Sequence, residues 1–366
     1  MRIAYLCKRR YMGKDVVLDR YARLYEIPYQ LARLGHEVEA FCLDYRGDGA
    51  LAESHEAVPG RLAWHSESLS PRTATYAWRL LRRIRAFSPE LVVAASDIPH
   101  VALGAWLARR LRVPFVADLY DNFEGFGQAR IPGMVAALRH AVRGADLVLT
   151  TSEPLRELVE TDYRARGEVV AMPSTVDKAV FRPQDRQASR ATLGLPQGAL
   201  LVGTAGGLHR DKGIETLYAA WERLQAEVPE AHLVLAGPHE PGLPPPAGER
   251  VHYLGALPHA RIAELFSALD VGAICILDTA FGRYCFPQKA YEMLACGLPV
   301  VAADVGAMGA LFADMPHCLY RPEDAGDLAA KLRAQLANPV VPALPMDDWE
   351  TIIGRIEPRF RSLLQR

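Results

Sequence analysis

Lys289 and Glu292 stand three residues apart, on one face of a predicted helix whose remainder, including Met293, Leu294 and Ala295, is built for burial. Opposite charges on such a helix have two readings. They form a surface ion pair of small energetic consequence, or they are a carboxylate placed to grip sugar hydroxyls beside a cation placed to grip phosphate. The frame around them is well marked: Pro287 suits a first helical position, Gly297 suits a left-handed cap, and Pro299 forbids continuation before the apolar strand Val300–Ala303. The segment reads as helix, sharp stop, buried strand.

A second segment, Gly203–Leu217, runs from a strand through Gly206, Gly207, His209, Arg210, Asp211, Lys212 and Gly213 into another helix. A helix N-terminus with free backbone donors attracts a diphosphate, glycines let the backbone approach it, and a lysine adds a compact positive charge for a leaving phosphate. The spacing fits neither the dinucleotide nor the Walker pattern, which argues against nicotinamide and ATP chemistry. The alternative is a polar turn capping a structural helix. The chain contains no Asp-x-Asp sequence and no apparent His, Glu and Cys ligand cluster, so neither a metal nor another cofactor is expected. Charge neutralisation then falls to Lys212, Arg210 and helix ends.

The elements that must position these residues follow from the pattern of apolar runs. Ile3–Cys7, Val38–Leu43, Leu91–Ala95, Phe115–Ala117 and Leu147–Thr150 read as strands separated by amphipathic helices, and the rhythm restarts at Ala199–Thr204, His232–Ala236, Val251–Leu254, Val271–Ile276 and Val300–Ala303. Strands apolar on both faces, alternating with helices, argue for an α/β fold with parallel sheets covered on both sides. With 366 residues, two domains are expected. The expected boundaries are 1–173, 174–345 and a terminal helix at 346–366. A formal net charge of −1 and 50% hydrophobic residues describe an ordinary globular protein, with no nucleic-acid partner implied. The six scattered cysteines lack a Cys-x-x-Cys pair and read as buried free thiols in a reducing compartment. No stretch reaches membrane-spanning length and the start does not read as a signal peptide, so a cytoplasmic location is expected.

The run Phe286–Val301 resembles the donor-site signature of the family 4 retaining glycosyltransferases, enzymes of the GT-B fold with two Rossmann-like domains facing a central cleft. Their motif has two glutamates with seven residues between. Glu292 matches the second, which in the family holds the ribose hydroxyls of a nucleotide sugar, whereas Tyr284 stands at the first, which touches the transferred sugar. Lys212 and Gly213 match the family's glycine-arginine-x-x-x-x-lysine-glycine phosphate loop, with Gly207 at the arginine position and Arg210 a candidate replacement. Further echoes lie at Gln30–Val38, Ser152–Leu155, Pro173–Asp177 with Phe181, and Tyr253–Pro258, which includes Leu257. The resemblance thus implies donor-binding roles for Glu292, Lys289, Tyr284, Phe286, Gly207 and Leu257.

For the first domain, the acceptor domain by resemblance, the family commonly carries a histidine-aspartate pair after the strand at Phe115, and here Tyr120 and Asp121 stand there. Asp121 is either a catalytic carboxylate or an Asx cap on the following turn. Gly13, preceded by Met12, resembles the family's phosphate-facing glycine loop, and His36 reads as a structural or solvated helix-end histidine. Arg79, Arg82, Arg83 and Arg85 on one predicted helix, with Arg109, Arg110 and Arg112 ending another, are either solvated faces or a peripheral contact with the inner face of a membrane. The resemblance implies transfer of a sugar, with retention, from a nucleotide-sugar donor to a hydroxyl of a glycan, glycolipid or small acceptor, as in cell-surface polysaccharide or lipopolysaccharide synthesis. A sugar-nucleotide epimerase of GT-B fold and a non-catalytic nucleotide-binding relative are the alternatives.

Overall fold

The computed structural model describes residues 1–47, 49–70, 75–286 and 288–365. The chain divides into two compact units, one of Met1–Ser174 with the terminal segment from Trp349, the other of Thr175–Asp348. Each is built on its own sheet. In chain order the first unit contains β1 (Arg2–Lys8), β2 (Arg10–Tyr11), β3 (Lys14–Asp15), β4 (Glu37–Asp44), β5 (Leu51–Ala57), β6 (Gly60–Ser68), β7 (Leu91–Ala95), β8 (Phe115–Leu119), β9 (Leu147–Thr150) and β10 (Glu168–Ala171). The second contains β11 (Leu200–Ala205), β12 (Ala231–Ala236), β13 (Val251–Tyr253), β14 (Val271–Ile274), β15 (Val300–Ala303) and β16 (Leu319–Tyr320).

The first sheet has the order β10-β9-β8-β7-β1-β4-β6-β5, parallel throughout except for β5, and the second is β13-β12-β11-β14-β15-β16, wholly parallel. In both, the chain runs outward to one side of the first strand and then returns to build the other side. Loops leaving the two central strands therefore diverge, and in open α/β sheets such switch points are where ligands bind, beyond the carboxyl ends of the strands. The switch points lie between β1 and β7 and between β11 and β14.

Ile3 through Cys7 are fully buried, as are Leu91 through Ala95, which is why these strands announce themselves as unbroken apolar runs. The pair β5 and β6 does not follow that rule. β5 is an antiparallel edge strand with Ala52, Glu53, Ser54 and Glu56 exposed, and its polar composition hides it from a reading that looks for buried runs. The six cysteines are free; Cys275 is partly buried and the other five are buried.

The helix Trp349–Ser362 belongs to the first unit. Ile352, Ile356 and Phe360 recur every four residues to give a buried stripe, which packs on the helix Ala22–Arg33. His36, the expected structural or solvated histidine, is buried and is one fastening of this helix: its Nε2 lies 2.6 Å from Glu357 Oε1, and its Nδ1 lies 3.2 Å from the amino group of Met1. Arg359 adds an exposed pair with Glu168 at 2.7 Å. Within the same unit Arg23, buried on its helix, donates from Nε to Asp118 Oδ1 at 2.9 Å and from Nη1 to the Met172 carbonyl, tying the end of β8 to the segment that leaves the unit.

Burial lowers the pKa of His36, His55, His65, His232 and His252, and for His65 it does so, with Arg83 and Arg61 assisting, from 6.5 to about 4. Each ring stays neutral in the folded protein at a pH where the unfolded chain has already taken up a proton. Stability therefore falls as pH drops below about 6.5, and the share due to His65 is fully lost near pH 4. The melting temperature is expected to decline steadily between about pH 7 and pH 4.5, and His65→Gln to flatten the decline. Since one pKa unit corresponds to about 1.4 kcal/mol, the His65 share is at most about 3 kcal/mol. A flat wild-type profile over this window contradicts the assignment.

Candidate functional site

At the switch point of the second sheet, β11 ends in Ala205 and the chain turns through Gly206 and Gly207, both exposed. Gly206 has φ +118°, and a Cβ there would lie 3.3 Å from the Lys289 ammonium. The neighbouring strand presses equally close, because a Cβ on Gly237 would lie 1.9 Å from the Gly206 carbonyl oxygen. The ends of β11 and β12 thus pack backbone on backbone, which glycine alone permits. Arg210–Lys212 then form one short helical turn, Gly213 takes φ +75°, and the helix Ile214–Glu227 begins.

Lys289 comes from the other side of the switch point, on the helix Gln288–Ala295 that follows β14. Gly297, at φ +73°, lies just past its end in the left-handed conformation anticipated for it, while Pro287 lies outside the described residues. Burial pushes the Lys289 ammonium below its ordinary value and nearby Lys212 adds to this, while Cys275 and Glu292 oppose it. Among the described residues it forms no ion pair. The Lys212 ammonium sits 3.6 Å from the centroid of Phe281, held by the ring face. Glu292, half-buried, has Oε1 3.9 Å from Nε2 of His259, whose ring meets Phe181 edge-on at 5.2 Å.

The other residues anticipated for the site divide. Arg210, exposed, is paired with Glu215 on the following helix, and its backbone N–H donates to Glu240 at 3.0 Å, so its guanidinium is engaged on the helix surface. Gly207, at the arginine position of the family loop, faces His209: a Cβ there would lie 3.0 Å from the imidazole Cδ2. Phe286 stacks on Tyr291 at 5.0 Å and, like Leu257, packs against the core of the second unit. Tyr284 ends the short helix Ala280–Tyr284.

In the first unit, Gly13 lies with Met12 at the exposed tip of the ribbon formed by β2 and β3, where both take positive φ as a tight hairpin requires. Asp121 is largely buried after β8, and its Oδ1 accepts from the Asn122 N–H at 2.7 Å. The cap of the following turn is Asn122, which accepts from the Glu124 N–H at 3.1 Å. Several polar residues at this end of the sheet escaped the sequence reading. Lys8 closes β1 with its ammonium 2.8 Å from Tyr120 Oη, and Asp97 Oδ1 lies 2.6 Å from His100 Nδ1. Their one sequence signal is position, as polar residues directly after fully buried strands.

Among the described residues no group of three or more His, Cys, Asp or Glu is arranged to hold a metal ion, and no helix is long and apolar enough to cross a membrane.

Two family models match the chain, one described as a glycosyl transferase 4-like domain over residues 22–175 and one as glycosyl transferases group 1 over residues 199–338, together well over half of its length. The chain belongs to the group 1 glycosyltransferases. Among its relatives is a protein named as a teichuronic acid biosynthesis glycosyltransferase, TuaC of Bacillus subtilis, 26% identical over 83% of this chain and 75% of that one. Another is the D-inositol 3-phosphate glycosyltransferase of Stackebrandtia nassauensis, 31% identical over 64% of this chain and 54% of that one. The chain thus matches between half and three quarters of the length of these two relatives.

Among solved structures it is similar to sucrose-phosphate synthase from Thermosynechococcus elongatus, with TM-score 0.73 and 22% identity over 100% of this chain and 99% of that one. It is also similar to Anabaena HepE in complex with UDP-glucose, with TM-score 0.69 and 19% identity over 99% and 100%. This likeness shows the fold, a GT-B architecture with two Rossmann-like domains. Membership of the group 1 family makes the enzyme a transferase, and the epimerase alternative is not favoured.

The two glycines of the loop are expected to tolerate substitution differently. Gly206→Ala places a side chain on a left-handed backbone against the Lys289 ammonium and should cost about 1–3 kcal/mol in denaturant unfolding. Gly207→Ala meets only the His209 ring, which can turn aside, and should cost less than half as much. Equal costs would mean that Gly206 is not the close-approach position of the loop.

Proposed function

We propose that the enzyme transfers a sugar, with retention at the anomeric carbon, from a nucleotide-sugar donor bound at the β11–β14 switch point to a hydroxyl of an acceptor glycan, glycolipid or small molecule. The observation that carries this reading is the half-buried Lys289, whose ammonium would lie 3.3 Å from a Cβ on the exposed Gly206 and which stands one helical turn from Glu292. A cation partly withdrawn from water, with no ion pair among the described residues, gains from an anionic partner, and a diphosphate laid over the glycines supplies one. Lys289 then stands in for the arginine absent at Gly207, with Lys212 as the second cation and Arg210 outside the first contact. Glu292 accepts hydrogen bonds from the ribose hydroxyls. HepE, of the same fold, is described in complex with UDP-glucose, which supports a donor of this class.

The chemistry assigned to the chain is electrostatic. As the glycosidic bond opens, negative charge grows on the leaving diphosphate, and Lys289, Lys212 and the first turn of the helix Ile214–Glu227 stabilise it without a metal ion. A phosphate oxygen takes the proton of the acceptor hydroxyl attacking from the same face, so no dedicated protein base is required. Asp121 in the first unit orients an acceptor or sugar hydroxyl. The teichuronic acid relative supports a place in cell-surface polysaccharide synthesis.

The location proposed is the cytoplasm, with peripheral membrane contact through the first unit. Of the arginines anticipated there, Arg79 pairs with Glu67 and Arg83 contacts His65, whereas Arg110 lies 5.5 and 5.2 Å from the rings of Trp78 and Trp106. Trp78 is 55% exposed, and indole beside guanidinium suits a lipid headgroup region.

Slow donor hydrolysis followed by proton NMR tests the reaction. Release of free sugar first in the donor's own anomeric configuration is expected; release first in the opposite configuration, or no turnover with any nucleotide sugar, contradicts it. Glu292→Gln should weaken donor binding by about 1.5–3 kcal/mol with folding intact, and calorimetry showing unchanged affinity would remove Glu292 from the site. Lys289→Met should leave the melting temperature unchanged or raised, since a partly desolvated charge is replaced by an apolar chain of similar length. Its turnover should fall at least about 100-fold, corresponding to the loss of about 3 kcal/mol of transition-state stabilisation. Arg210→Ala should cost less than about tenfold, and the reverse ranking would return the phosphate role to Arg210.

A further inference from the structure

The switch point of the first sheet carries a second arrangement of chemistry. The Lys8 backbone N–H donates to Ser96 Oγ at 2.8 Å, its ammonium donates to Tyr120 Oη at 2.8 Å, and Tyr120 Oη donates onward to the Ser96 carbonyl at 3.0 Å. Three rings surround the ammonium, with the centroids of Tyr11, Tyr120 and Phe126 at 5.5, 5.4 and 5.8 Å. An ammonium carries three donors, and Tyr120 occupies one.

The arginines at this end of the sheet are committed to carboxylates, Arg9 to Asp15 at 3.0 Å and Arg23 to Asp118 at 2.5 Å, and Asp97 Oδ1 lies 2.6 Å from the His100 ring. Among the described residues no carboxylate lies within ion-pair distance of Lys8. Burial disfavours its charge, and Asp97, Cys7 and Asp121 oppose this from longer range. Asp97 also accepts from Tyr45 at 2.9 Å, and Asp121 accepts from the Asn122 N–H at 2.7 Å. Ring faces and one phenol offset only part of the loss of water around an ammonium.

Building on the proposed transfer reaction, we propose that Lys8 receives an acidic group, a carboxylate or a phosphate, carried by the acceptor, with Tyr11, Tyr120 and Phe126 walling that subsite. The donor's diphosphate offers the same chemistry, but Lys289 and Lys212 of the second unit already serve it. Acceptors of this enzyme are therefore acidic sugars or sugar phosphates.

The test uses the full-length enzyme with the donor selected by hydrolysis and matched acceptor pairs: glucose with glucose 6-phosphate, and glucose with glucuronate. Wild-type kcat/KM should favour an acidic member at least about tenfold. Lys8→Met should erase that preference by reducing use of the acidic member, and Lys8→Arg should restore most of it. Saturation-transfer NMR with the same pairs reads binding without turnover and should rank the variants alike. No preference in the wild type, or an equal loss for charged and neutral members in Lys8→Met, overturns the proposal, the latter assigning Lys8 to the donor or to the fold. Failure of donor hydrolysis in the wild type would instead overturn the transfer reading itself.

Discussion

A lysine ammonium set against the exposed Gly206, with no carboxylate at ion-pair distance among the described residues, is the constraint around which the proposed donor site is arranged. Burial lowers the pKa of Lys289 and proximity to Lys212 adds to this, while Cys275 and Glu292 oppose it. Gly206 and Gly237 pack oxygen against α-carbon, and the helix carrying Lys289 is stopped by Gly297 before β15 begins. Such an arrangement is unfavourable for an empty protein and favourable for one that binds an anion, which is how a ligand site differs from a core.

The first unit repeats the logic with different residues. There a lysine ends the first strand of the sheet, and it too lies at a switch in strand order. The difference is in the surroundings: glycines and a helix start at Lys289, aromatic rings at Lys8. On the proposed reading, the glycines admit a highly charged diphosphate to the backbone, and the rings admit the body of a sugar and leave the ammonium for a single acidic substituent.

How much of this was readable in the sequence depended on whether the signal was local. Lys289 and Glu292 were conspicuous because an apolar helix seldom carries two charges on one face, and the Gly206–Gly213 loop because strand, glycines and helix follow each other directly. The choice between Arg210 and Lys289 as the partner of Lys212 in the proposed phosphate site was not readable. Lys289 reaches Gly206 across the sheet, while Glu215, five residues beyond Arg210, captures the guanidinium. Lys8 was hidden among Arg9 and Arg10, and only the three-dimensional pairing of those arginines with Asp15 and Asp44 shows that Lys8 differs from them. The contact of His36 with Glu357 joins residues 321 positions apart, beyond any pattern of spacing. β5 was missed for the opposite reason, since its own composition is that of a solvated edge.

The claim that this site is organised around a diphosphate is tested most directly by calorimetry on the wild-type enzyme, comparing the nucleoside diphosphate that stabilises it most among UDP, GDP and ADP with the matching nucleoside. Two cations and a helix start act on the diphosphate and none of them on the nucleoside. At about 1.5–3 kcal/mol for each charged contact, the diphosphate should bind at least about 100-fold more tightly. Equal affinities for diphosphate and nucleoside would contradict the account.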